Sequence, residues 1–362
     1  MTEKKNTQLK ILFSVIALLV CAGILYYVNH YTRPTFMLRT VMQLGAIYAL
    51  VAVSMNLLNG FTGLFSLGQA GFMAIGAYTF AIFTIPAKSR PGVYYLYGVA
   101  DWLSNLQVPV WAGLVLAGLV AAILAALIGA PVLRLKSDYF AIATLGFAEI
   151  VRIIVGSSPM NRITNGSLGL KMIPKFSNFY YPFIVVGICI FIISLLIRSS
   201  YGRAFKAIRE DEIAAEAMGI NLAKHKQLSF IISSFFAGIS GALMGMYLGA
   251  ITSTTFNITL TYNILLIVVI GGMGSVTGSI ISSFLVIASR EWWLRFLDME
   301  TYIGSFKVPL LKSGFRMVVF SVILMIVVLF FRQGIMGTRE FNWNFILKRL
   351  GKKKNTGGEG CE

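Results

Sequence analysis

Acidic side chains are few in this chain, 14 Asp and Glu against 31 Lys and Arg in 362 residues, and charged residues together make up only 12%. A soluble domain carries about twice that share, which excludes the ordinary globular class. Histidine occurs only as His30 and His225, and cysteine only as Cys21, Cys189 and Cys361. The histidines are far apart and no cysteine pair has metal-ligand spacing, so no metal is expected. The chain also lacks a phosphate loop ending in Gly-Lys-Ser or Gly-Lys-Thr, and His-Glu-x-x-His, Gly-x-Ser-x-Gly and Cys-x-x-Cys are missing. No catalytic residue and no cofactor is expected. Any energy from nucleotide must come from another chain.

What is present is apolar: 57% hydrophobic residues and a mean hydropathy of +0.78. Several runs approach the roughly 18 to 20 residues that cross about 30 Å of hydrocarbon as helix. Alternating strands of about ten residues, the mark of a barrel, are not found. An all-α polytopic membrane protein of about ten transmembrane helices is therefore expected. The net charge of +17 flanks the apolar runs without interleaved aromatics, which suits anionic lipid headgroups better than nucleic acid.

Lys4, Lys5 and Lys10 precede a first span that runs on to Tyr26, Tyr27 and Tyr31, and they put the N-terminus in the cytoplasm. A second span, from about Arg39 to Leu58, meets the glycine-rich stretch 59–72 before apolar sequence resumes to Ile85. Spans follow at 110–130, 137–155, 180–197, 228–248, 260–270, from 280 to about 297, and 314–331. A second glycine interruption falls at 271–279. Either interruption can be a surface turn or a break within the bilayer that lines a polar cavity. Arg134, Lys136, the basic island 198–228 and the tail all fall on one side, which makes both termini cytoplasmic. The expected organisation is residues 1–38 as tail, first span and external link, 39–335 as core, and 336–362 as a basic cytoplasmic tail.

Three features stand out. Asp138, Glu149 and Arg152 are ionisable groups in one span; Glu149 and Arg152, at i and i+3, either neutralise each other or serve function. Ala237, Gly241, Gly245 and Gly249 recur every four residues and allow close helix approach, inside the chain or to a partner. In the island, Asp211 can cap a two-turn helix that Gly219 ends, with Glu212 and Glu216 near its positive end. So short a helix needs an external support. The small Ala214, Ala215 and Ala217 let another protein's surface come close, and that points to docking.

Five stretches, LNGFTGLFSLGQAGFMAIGAY, LKSDYFAIATLGFAEIVR, ITNGSLGL, GRAFKAIREDEIAAEAMGINLAKHK and IGGMGSVTGSIIS, resemble in this order the permease subunits of branched-chain amino acid ABC importers, of the LivM type. The resemblance covers roughly 39–335. It implies that Glu212, Ala214, Ala215 and Gly219, with Arg209, Asp211 and Glu216 around them, form the loop that contacts the ATPase. It further implies a second homologous permease, two ATP-binding subunits and an extracytoplasmic solute-binding protein in a bacterial inner membrane. The expected translocation residues are Asn56, Asn59, Gly60, Gly63, Ser66, Gly68, Gln69, Thr144, Gly271, Gly272, Gly274 and Ser275. A urea or amide permease is the nearest alternative substrate class. An ion-coupled transporter using Asp138, Glu149 and Arg152 is the rival from another class.

Overall fold

The computed structural model of the protein describes residues 19–20, 22–31, 37–104, 106–135, 137–298, 302–303, 306–307, 315–330, 334–337 and 340. Lys4, Lys5, Lys10, Cys21, Cys361 and the basic tail from 341 lie outside the described residues, and so does the Asp138 side chain.

The fold is all-α. Helix α1 (Met37–Asn56) runs on into a wider π turn, Leu57–Thr62; α2 (Gln69–Thr84), α3 (Val110–Val132), α4 (Ser137–Val155) and α5 (Tyr181–Arg198) follow. After them come α6 (Ser200–Glu210), α7 (Glu212–Ala217), α8 (Leu222–Leu248), α9 (Ile258–Gly271), α10 (Val276–Glu291) and α11 (Phe315–Phe330). A two-residue antiparallel pair, β1 (Tyr302–Ile303) with β2 (Phe306–Lys307), precedes α11.

Each span expected from residue 37 on coincides with a helix. Among the described residues, four helices are long and apolar enough to cross a membrane, or six when each bent pair counts as one span. The bent pairs turn by 96° after α2 and by 58° after α4. The island differs more from expectation. Residues 200–210, read as loop, form α6, which buries Gly202, Phe205 and Ile208 on one face. Helix α8 begins at Leu222 and not near 228, because the Asn221 side chain accepts the Lys224 N–H at 3.0 Å and caps it there.

Burial explains the arrangement. Helix α1 is apolar all round and sits at the centre, with α8, α9, α10 and α5 against it. On α3 the small residues Gly113, Ala117, Gly118, Ala121, Ala125 and Gly129 face inward, while Trp111, Leu119, Ile123 and Leu127 face out. Large outside and small inside is the pattern of a helix between lipid and close-packed backbone.

The small-residue seam of α8 turns inward too. Ala237 is buried, and a Cβ on Gly241 would overlap the Met73 carbonyl of α2. Across the same contact, a Cβ on Gly76 would overlap the Gly238 carbonyl. Gly245 is looser, and Gly249 ends α8 at φ +72 against Lys175. Hydroxyls reinforce the contact: Ser233 Oγ donates to Ser54 O at 2.6 Å and Ser240 Oγ to Ile47 O at 3.0 Å.

One knot was not foreseen. The Arg90 guanidinium, buried beyond α2, donates to the carbonyls of Ile82, Ile85, Leu103 and Leu106. Four loop carbonyls thereby find a donor.

Seam geometry predicts unequal tolerance. Gly241→Ala is expected to destabilise the protein by about 1–3 kcal/mol through overpacking. Gly245→Ala meets nothing nearer than 3.7 Å and is expected to be neutral. Thermal unfolding in detergent checks both, and equal midpoints for the two variants would contradict this packing.

Candidate functional site at two broken helices

The first break begins where α1 widens into its π turn. Thr62 Oγ1 donates to Leu57 O at 3.0 Å, and Gly63, at φ +80, reverses the chain as only glycine does readily. Residues 63–68 then fold back over the turn. Asn59 clamps them, since its Oδ1 accepts the Ser66 N–H at 3.1 Å and its Nδ2 donates to Ser66 O at 3.3 Å. Helix α4 closes the other side: the Leu67 N–H donates to Thr144 Oγ1 at 3.0 Å, and Gly68 lies against the Thr144 backbone. Gln69, which opens α2, donates to Ser233 Oγ on α8 at 2.8 Å.

The second break lies between α9 and α10. Gly272 at φ +109 and Gly274 at φ +95 take conformations that L side chains rarely adopt, and Ser275 caps α10 by accepting the Gly278 N–H at 3.1 Å. Gly271 and Gly278 touch backbone to backbone.

Asn56 joins the two. Its Nδ2 lies within hydrogen-bonding distance of Gly272 O, Ser275 O and Ser279 Oγ, at 3.3, 2.9 and 2.7 Å, and its Oδ1 accepts the Gly274 N–H at 2.8 Å. The residue is fully buried. Gly60 must be small for the same reason, because a Cβ there would overlap Asn56 Oδ1 and Gly274 N.

Arg209, near the end of α6, reaches the same junction. Its Nη1 donates to Gly60 O at 2.8 Å, its stem packs on Gly63, and a Cβ on Gly274 would lie 2.8 Å from Nη1. Helix α7 starts three residues later. Asp211 Oδ1 accepts from the N–H groups of Ile213 and Ala214, at 2.8 and 3.1 Å. At the other end the Gly219 N–H donates to Glu216 O at 2.9 Å and the Ile220 N–H to Ala215 O at 3.1 Å, with Gly219 at φ +83. This is the paired bonding of a glycine-ended helix. Lys226 of α8 pairs with Glu212 at 2.5 Å, and Ala215 is the buried residue of α7 itself.

The polar residues expected along a pathway are thus turned toward one another. Asn56, Asn59, Ser66, Gln69, Thr144 and Ser275 are all buried, while Gly63, Phe65 and Met273 carry the exposed surface of the breaks. Two residues, one in α7 and one just after it, escaped the sequence reading. Ile213 and Met218 are 82% and 83% exposed, a signal legible as two large apolar residues inside a charged island.

Glu340 is another, since a residue in the stretch read as tail carries no pattern of its own. Its carboxylate accepts from Val276 N at 2.7 Å, Thr277 N at 3.2 Å and Thr277 Oγ1 at 2.9 Å, at the positive end of α10. The Ile335 and Met336 N–H groups donate to Ile270 O and Gly271 O at 2.7 and 3.2 Å, which straps this segment across the second break. A cleft of about 300 Å³ remains between Phe61, Arg198, Lys206, Arg209 and Glu340.

Residues 37–336 match the family model described as "Branched-chain amino acid transport system / permease component". The chain is 35% identical over 285 residues to the high-affinity branched-chain amino acid transport system permease protein LivM of Escherichia coli K12, covering 69% of this chain and 62% of that one. Its counterpart in Salmonella typhimurium is 36% identical over 279 residues, covering 68% and 61%. The LivH permease protein of the Escherichia coli system is 24% identical over 320 residues, covering 83% and 94%. The chain spans about three-fifths of the length of the LivM relatives. No solved structure matches it. With most of its length inside that family match, the chain belongs to the branched-chain amino acid transport system permease family.

Proposed function

We propose that this chain is a membrane permease subunit of an ATP-driven importer of branched-chain or related hydrophobic amino acids. In this reading the chain catalyses nothing itself. It works beside a second, homologous permease, two ATP-binding subunits and an extracytoplasmic solute-binding protein, in a bacterial plasma membrane with both termini in the cytoplasm. The names of the LivM and LivH relatives support the substrate class and the second permease. The observation that carries the mechanism is the placement of Arg209, which ends one turn before an exposed docking helix and touches both broken helices.

The mechanism follows from those contacts. Ile213 and Met218 project from α7 as apolar knobs for a groove on the ATPase, and the Asp211 cap and Gly219 stop keep so short a helix folded. Displacement of α7 moves α6. Arg209 passes it to Gly60 in the first break and Gly274 in the second, and Asn56 makes the two breaks move together. Thr144 and Gly68 hand the same motion to α4. The breaks therefore act as the hinge of the pathway, and Gly63, Phe65 and Met273 are the surface they present to the substrate.

Three outcomes check this reading in the complete transporter. Gly219→Val has room for its side chain but not for its φ, so it is expected to cost about 1 kcal/mol or more and to uncouple ATP hydrolysis from uptake while the protein still inserts. Normal uptake per ATP in that variant would refute the coupling role. Ile213→Glu is expected to weaken ATPase association by about tenfold, about 1.4 kcal/mol, as measured by titration of the solubilised complex. Asn56→Leu leaves buried carbonyls and an N–H without partners, at about 1–3 kcal/mol, and is expected to abolish uptake with ATPase association intact. Reconstituted alone, the permease is expected to move no amino acid; transport by it under an ion gradient would favour the ion-coupled rival.

A further inference from the structure

Glu149 and Arg152 stand outside the machinery described so far. They pair at 2.5 Å on α4, with side chains 26% and 31% exposed, and neither side chain has another hydrogen-bond partner among the described residues. Glu149 is twelve residues into the helix, about 18 Å from its start, well within hydrocarbon depth and toward the end of the bundle opposite α7. Helical spacing puts Tyr139, Ile142, Gly146, Ile150 and Ile153 in one exposed stripe, with Glu149 and Arg152 along its edge. Gly146 is a recess in that stripe, because nothing lies within 4 Å of a Cβ there.

The outward faces of α3 and α5 are apolar without such a pair among the described residues. They carry Leu119, Ile123 and Leu127, and Ile184, Ile188 and Phe191, the side chains that acyl tails accept without cost. A partly exposed ion pair facing acyl tails is unfavourable, so the edge of the α4 stripe that holds it faces something polar. In an importer made of two permeases, the polar space at membrane depth is the passage between them. An amino acid in that passage offers an ammonium, a carboxylate and an aliphatic side chain. Glu149, Arg152 and the recess between Ile142 and Ile153 match these three groups in charge and kind.

We propose that Glu149 and Arg152 bind the head of a zwitterionic amino acid, Glu149 accepting from its ammonium and Arg152 donating to its carboxylate. The proposal rests on the importer reading. Before the substrate arrives the two residues neutralise each other; with it bound, each faces an opposite charge on the ligand. The site is charge-balanced in both states, so occupancy is weak enough for release, as conduction requires. Its position also ties it to the hinge. The face of α4 behind Glu149 holds the first break, through Thr144 on Leu67 and Ala148 against Gly71. Movement of the breaks thus shifts the helix that carries the pair.

The test uses the complete importer in proteoliposomes with its binding protein, and it measures ATP-driven leucine uptake together with ATPase stimulation. Glu149→Gln and Arg152→Gln are each expected to lower uptake at least tenfold while the loaded binding protein still stimulates hydrolysis. The double variant Glu149→Gln/Arg152→Gln separates a ligand site from a structural pair, because it leaves no lone charge behind. A ligand site predicts that the double variant is as impaired as either single one. Restored uptake in the double variant, or normal uptake in the singles, would overturn the proposal, and the double variant answers where a single one fails to assemble. Wild-type uptake that needs no ATP would instead count against the importer reading itself.

Discussion

One carboxamide holds the centre of this protein together. The Asn56 side chain bonds to backbone on the far side of a helix break more than two hundred residues away in sequence, and both of its polar ends are engaged. Breaking a helix inside a packed bundle frees N–H and C=O groups that must find partners there. Here Asn56 supplies partners for the second break, while the Asn59–Ser66 clamp and Thr144 of α4 satisfy the first. The breaks are affordable because they meet. Their contact requires Gly60, since any side chain there would displace the amide.

The same economy of space runs through the bundle. Between helices in lipid there is little hydrophobic driving force, so dispersion and hydroxyl-to-carbonyl bonds hold α8 to α1 and α2. Both need close backbones, which Gly76, Gly238 and Gly241 permit. A stiff block of α1, α2, α3 and α8 results, and the two breaks are its irregular seam. Arg209 enters that seam from the side of α7, where a rigid rod meets backbone whose geometry is not fixed by a regular helix.

Much of this was legible in the residues. The apolar runs placed α1 to α5 and α8 to α11 within a few residues, because twenty apolar residues in a row admit one solution in lipid. Asp211 and Gly219 foretold the ends of α7, since capping depends on neighbours in sequence. Helix α6 was missed for the opposite reason: its apolar residues, Phe205 and Ile208, are few among Arg203, Lys206 and Arg209, and the face they make is buried only against other elements. The bends of 96° after α2 and 58° after α4 were not legible either, because apolar length in sequence does not reveal them.

What the sequence determined by itself was local: class, helix positions, caps, the glycine interruptions and the family motifs. Each follows from hydrophobicity or backbone freedom within a few residues. The tertiary structure alone decided that the two interruptions touch, that the α8 seam faces inward, that Glu340 caps α10 and that Asn59, Ser66 and Gln69 close a break instead of facing open space. Those are pairings between distant segments. A side-chain amide or a missing Cβ looks the same in sequence whether it meets water, lipid or another backbone, and only packing chooses among them.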